Sequence, residues 1–151
     1  QKNDKLSKEK KRLEPIIHRS VTKSRHHFLI LHIPHTYQRL VENDITEDYS
    51  MGYAAHVGFR AGPCTPYRFY DLDLETPMEL TVYPFAFMEA TLKYYMNLNP
   101  EKAKPVITDL VNKVKKVDGT LMGLWHNETL TDTGLWKGWR DVFLHMIEEA
   151  Q

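Results

Sequence analysis

The sequence predicts an α/β fold, with mostly parallel strands and flanking helices. Two apolar runs, Arg25 to Ile33 and Glu79 to Phe85, are too short and too dense for amphipathic helices. The last third carries stripes at helical spacing, and a charge-free run, Thr120 to Trp125, follows the longest stripe with only Asp118 and Gly119 between. Strands alternating with amphipathic helices imply a sheet covered by helices. At 151 residues, with ordinary apolar and charged fractions, the chain has the size of one domain with a core.

Residues 1–15 read as a polar, charged leading segment or helix and residues 16–151 as the α/β domain. Leu6 to Ile17 fits a short basic helix, ended or kinked near Pro15. Arg25 to Ile33, RHHFLILHI, is rich in bulky apolar side chains and bounded by Pro34, which favours a buried strand. Thr36 to Asn43 reads as a short helix through Tyr37, Leu40 and Val41. Glycine, proline and aromatics dominate Tyr49 to Pro77, an irregular but ordered excursion. Glu79 to Phe85 gives a second strand and Phe87 to Met96 a helix. Asn99 can cap a helix with Pro100 in its first turn, and Ala103, Val106, Ile107, Leu110, Val111, Val114 and Val117 recur at helical spacing. Pro105 suits no helix interior, so the regular part is expected to begin only there. Asp118-Gly119 ends it, the strand Thr120 to Trp125 follows, and a final helix carries Trp136, Trp139, Val142, Phe143, Met146 and Ile147 on one side.

Lys plus Arg equals Asp plus Glu at 20 each, so no global field draws the chain to nucleic acid or an anionic membrane. A single cysteine, Cys64, rules out an intrachain disulfide. No run approaches the roughly 20 apolar residues of a membrane span or forms a signal peptide. An opening at Gln1, with no methionine, is expected of a piece cut from a longer protein.

The strand Thr120 to Trp125 ends in His126, Asn127 and Glu128. In α/β sheets and barrels the carboxyl ends of parallel strands open into the ligand crevice, so His126 stands where chemistry is done. An arbitrary strand-end histidine more often just satisfies a hydrogen bond; its setting here raises the functional reading.

Leu124-Trp125-His126 closing an apolar strand resembles the LxH motif of NodB-homology polysaccharide deacetylases, carbohydrate esterase family four. The order of segments before it is similar as well. Ser24 to Leu29, SRHHFL, resembles the family's arginine-bearing strand; Ile33 to Tyr53 resembles the helix and YDSS-type strand that follow; Leu80 to Phe87, LTVYPFAF, resembles the strand usually reading EIPLS. A bacterial deacetylase-like group carries a GFRAG segment between those strands, here Gly58 to Gly62. The resemblance spans roughly residues 15 to 147, the scale of half to two-thirds of a domain. It implies an incomplete or distorted (β/α) barrel and hydrolysis of an N-acetylated carbohydrate. By the same resemblance His126 is the general acid that protonates the departing amine, Leu124 lines the acetyl pocket with Trp125 beside it, Arg25 orients the catalytic aspartate, and Asp48 matches the YDSS aspartate.

The family's cofactor is a divalent metal such as zinc, held by an aspartate motif and a paired-histidine motif upstream of the arginine strand. Neither motif occurs between Gln1 and Ser20, which hold His18 alone, and Asn127 replaces the proline common after the family's histidine. The expectation is therefore a chain inactive by itself. Its partner would be a carbohydrate, and a half-barrel exposes strand edges and apolar faces, which predicts association with a second copy or with the missing N-terminal half of the same protein.

His26, His27, His32 and His35 fall within ten residues, but strand alternation would divide them between two faces, whereas zinc needs three or four converging ligands. In Gly58 to Asp73, Arg60 could reach a carboxylate or sugar hydroxyl while Tyr67, Phe69 and Tyr70 form an aromatic platform, or the loop packs on its own aromatics with Arg60 in a salt bridge. Both readings stand. Cys64 lacks a local basic partner and reads as a structural thiol. Trp136 and Trp139 read as a core stripe, with a carbohydrate role open for one of them, and the KVKKV segment around Lys115 reads as a solvated face. Two functions of different class follow: the C-terminal part of a deacetylase-like hydrolase, or a non-catalytic carbohydrate-binding or protein-interaction domain of the same fold.

Overall fold

The computed structural model describes residues 2–151, with side chains from Lys5 onward. The chain divides into two units, one formed by residues up to Ser50 with Pro66–Tyr83, the other by Met51–Thr65 with Pro84–Gln151.

The first unit opens with α1 (Lys2–Ile17), which runs through Pro15. Its docking is polar: Lys10 Nζ donates to the Asn43 carbonyl at 2.5 Å, and Glu14 accepts from the Val21 N–H at 3.0 Å. Next come β1 (Lys23–Ser24), α2 (His35–Val41), β2 (Glu47–Asp48), β3 (Tyr67–Asp71) and β4 (Thr76–Val82), with strand order β1-β2-β4-β3. β1, β2 and β4 run parallel and β3 pairs antiparallel with β4. Tyr37, Leu40, Ile45, Phe69, Leu80 and Val82 are buried, and Tyr37 meets the Phe69 ring edge-on at 4.8 Å.

Two expectations change here. Arg25 to Ile33 is not a strand: pairing stops at Ser24, and His27–Leu29 forms a 3₁₀ turn in which Phe28 and Leu29 both take positive φ, 62° and 55°. With no polar alternation to fix a face, the run turns away from the sheet, and Phe28 is left 78 % exposed. The excursion Tyr49 to Pro77, in contrast, contains regular structure. Tyr67, Phe69 and Asp71 alternate with exposed Arg68 and Tyr70, making β3, and Asp71 accepts hydrogen bonds from the Asp73 and Leu74 N–H groups to close the turn into β4.

In the second unit β5 (Phe87–Met88) leads to a π-helical turn, Thr91–Tyr95, where a regular helix was expected. α3 spans Pro100–Lys115 and runs through Pro105; the Asn99 side chain accepts from the Lys102 N–H at 2.9 Å and starts the helix at Pro100. Only Gly123–Leu124 of the expected last strand pairs as β6, parallel to β5, with Phe87 opposite Gly123 and Met88 opposite Leu124. A Cβ on Gly123 would stand 2.8 Å from Phe87 Cζ, so glycine lets the ring lie against the strand. α4 (Trp139–Glu149) starts later than expected, and Trp136 falls in the preceding 3₁₀ turn, Gly134–Trp136. The core joins Phe87 and Leu92 to Ala103, Ile107, Leu110 and Val111 of α3 and to Trp139, Val142 and Met146 of α4. The segment Met51–Thr65 is tied in by Gly58 N–H to the Ala86 carbonyl and by Thr120 N–H to the Cys64 carbonyl. A Cβ on Gly119 would overlap Cys64 Sγ, so the thiol fills the space a side chain would take.

This is a mixed α/β protein with a parallel-rich sheet and helices, and neither sheet closes into a barrel among the described residues. Among them no helix is long and apolar enough to cross a membrane.

Candidate functional site

β5 and β6 run in the same direction, so the connections leaving their carboxyl ends begin side by side. Glu89 is the first residue after β5 and His126 the second after β6. Their side chains meet: His126 Nδ1 lies 2.5 Å from Glu89 Oε1, and the His126 backbone N–H donates to the same oxygen at 3.3 Å. Thr129 fixes the other side of the residue, its hydroxyl donating to the His126 carbonyl at 2.7 Å. Glu89 is fully buried, while 42 % of the His126 side chain is exposed. Glu89 Oε2 finds no hydrogen-bond partner among the described residues.

This arrangement has a direct chemical meaning. A carboxylate accepting from Nδ1–H sets the tautomer and ring orientation and leaves Nε2 as the nitrogen able to exchange a proton outside. Glu89 was not among the expected residues. It stands in the apolar run PFAFMEA, where a carboxylate without polar neighbours is the one available signal.

Leu124 and Trp125 precede the histidine, both half-buried. Trp125 packs edge-on against Phe87 and Phe143, at 6.3 and 5.3 Å, and its buried Nε1 has no partner among the described residues. Arg60 belongs to the same unit, in the loop that Gly58 anchors to Ala86. It is exposed and among the described residues makes no ion pair, which removes the salt-bridge reading of that loop.

The other expected residues belong to the first unit. Arg25 is exposed just beyond β1. Asp48 ends β2 fully buried and accepts three hydrogen bonds, from the Ser50 N–H at 2.9 Å, the Ser50 hydroxyl at 2.8 Å and the Tyr37 hydroxyl at 3.2 Å. Burial still pushes its carboxyl above the ordinary carboxylate range, and the hydrogen bonds oppose that only in part. Ser50 extends the network by accepting from the His26 N–H at 2.8 Å. Tyr67 is half-buried on β3, with its hydroxyl pushed up by burial and then by Asp48. Tyr67, Phe69 and Tyr70 do not make one platform: Phe69 is buried and Tyr70 points to the opposite face of the strand.

Among the described residues no three His, Cys, Asp or Glu side chains converge to hold a metal ion. The histidines from His26 to His35 are spread over a 3₁₀ turn, a loop and the start of α2, not over a strand. The described residues therefore do not fit a divalent-metal site. No protein-family model matches the chain, and neither does any curated protein or solved structure.

Proposed function

We propose that this chain is the C-terminal part of a metal-dependent, polysaccharide deacetylase-like hydrolase acting on an N-acetylated carbohydrate, with His126 as its general acid. The fold in this reading is an incomplete (β/α) barrel. The observation that carries it is the pairing of half-exposed His126 with fully buried Glu89 at the carboxyl ends of two parallel strands. The order of segments and the Leu124-Trp125-His126 closure support it.

Hydrolysis of an N-acetyl group consumes one water and gives acetate and a free amine. The departing nitrogen needs a proton as the C–N bond breaks, and Nε2 of His126 supplies it. The Glu89 carboxylate beside Nδ1 compensates the imidazolium charge before the transfer and holds the ring in one orientation. In such hydrolases a bound divalent ion polarises the carbonyl and activates the water. Among the described residues no set fits that ion, so the reading assigns its ligands to residues outside them.

The test is acetate release from N-acetylglucosamine oligomers. The 151-residue chain alone releases none, with or without zinc; the full-length protein does, and His126→Ala in it lowers kcat by about 10² to 10⁴. Glu89→Gln also lowers kcat, since an amide holds the imidazole ring less firmly than a carboxylate does. A full-length protein that binds the oligomers without releasing acetate, or a His126→Ala variant with unchanged kcat, overturns the hydrolase and leaves a glycan-binding domain.

A further inference from the structure

The same two connections carry a second group of side chains at their far ends. After β5 and Glu89 the chain enters the π-helical turn Thr91–Tyr95; after β6 and His126 it ends in the turn Gly134–Trp136, just before α4. Lys93 Nζ stands between these segments, 5.1 Å from the ring centre of Trp136, 5.5 Å from that of Trp139 and 5.9 Å from that of Tyr94. Tyr94 and Trp136 meet edge to face, with centroids 5.5 Å apart and planes at 80°.

Burial separates the rings into two kinds. Trp139 is 1 % exposed and belongs to the core, whereas Tyr94 is 58 % exposed, Trp136 is half-buried and neighbouring Leu135 is 76 % exposed. Two perpendicular rings thus form an open corner, braced from behind by a buried ring and held across the two connections by one ammonium group. A π-helical turn is a rare conformation that recurs at functional sites. Here it places Lys93 and Tyr94 together on that corner.

We propose that Tyr94 and Trp136, held by Lys93, form a stacking subsite for a pyranose ring of a glycan. The axial C–H groups of such a ring suit an aromatic face, and the perpendicular second ring meets the sugar's edge. This rests on the proposed function and deepens it. Tyr94 lies five residues beyond Glu89 and Trp136 ten beyond His126 along the two connections, and the subsite is assigned to a sugar next to the one that reacts. The substrate is then an oligomer or polymer, not a single sugar.

Binding of N-acetylglucosamine and its oligomers, up to the hexamer, to the 151-residue chain tests this by calorimetry and tryptophan emission. Affinity rises with length. Trp136→Ala weakens hexamer binding about tenfold, the scale of one lost stacking contact, and Tyr94→Ala acts in the same direction. Trp136→Phe retains most of the affinity but loses most of the emission shift, since Trp139 is buried in the core and Trp125 is half-buried; this variant also serves if Trp136→Ala fails to fold. Lys93→Met, which keeps the stem without the charge, gives an intermediate loss. Hexamer affinity unchanged in both Trp136→Ala and Tyr94→Ala overturns the subsite. If His126→Ala still abolishes acetate release in the full-length protein, the hydrolase reading survives that result. A wild-type chain that binds no oligomer removes the subsite, and acetate release by the full-length protein then decides the hydrolase separately.

Discussion

A carboxylate without exposure is costly unless its oxygens meet donors. Asp48 meets three, two from Ser50 and one from Tyr37, and all belong to its own unit. Glu89 serves His126 with one oxygen and leaves the other without a partner among the described residues. The first carboxylate is satisfied within its own unit; the second keeps an acceptor open beside the imidazole. Asp48 has a measurable consequence. Its carboxyl is raised above 3.8 by burial, so the folded chain holds that proton at a pH where the unfolded chain has released it. Stability therefore falls as pH rises from near 3.8 through the folded-state value. Asp48→Asn cannot titrate, so in urea unfolding across that range its stability gains on the wild type with rising pH; a constant difference between the two would sink this assignment. His126 was legible in the sequence because an uncharged run ends in it. Glu89 was not, since FAFMEATL has the spacing of a helix and hides a strand end.

Among the elements, α3 is the most legible and the clearest to test. Asn99 caps it and Pro100 fills a first-turn position where no N–H is needed, so the helix begins there, and it runs on through Pro105. Asn99→Ala removes the acceptor for the Lys102 N–H and lowers stability by about 1 kcal/mol. That loss is read as a shift of the urea midpoint with unchanged slope. The strands were less legible, for a physical reason: β1, β2, β5 and β6 have two paired residues each, too few for any periodicity to register. RHHFLILHI misled because bulk alone resembles a buried strand, whereas only contact with a neighbouring strand holds one in place. The β3–β4 hairpin was readable from alternation in YRFYD, but the surrounding glycines and prolines outweighed it.

At the scale of the whole chain, the mixed α/β class was legible, but its division into two units was not. Each unit takes its residues from two separated stretches, and local spacing cannot report which distant segments share a core. Among the described residues no helix is long and apolar enough to cross a membrane. The segment Met51–Thr65 leaves the chain's first stretch to join the second unit, where Cys64 Sγ lies against the bare Cα of Gly119. Cys64 is part-buried, and Gly119 shields one side of its sulfur. Maleimide labelling of this lone thiol, slower in the native chain than in denaturant, then reports the peeling away of that excursion, set by an atom glycine does not have.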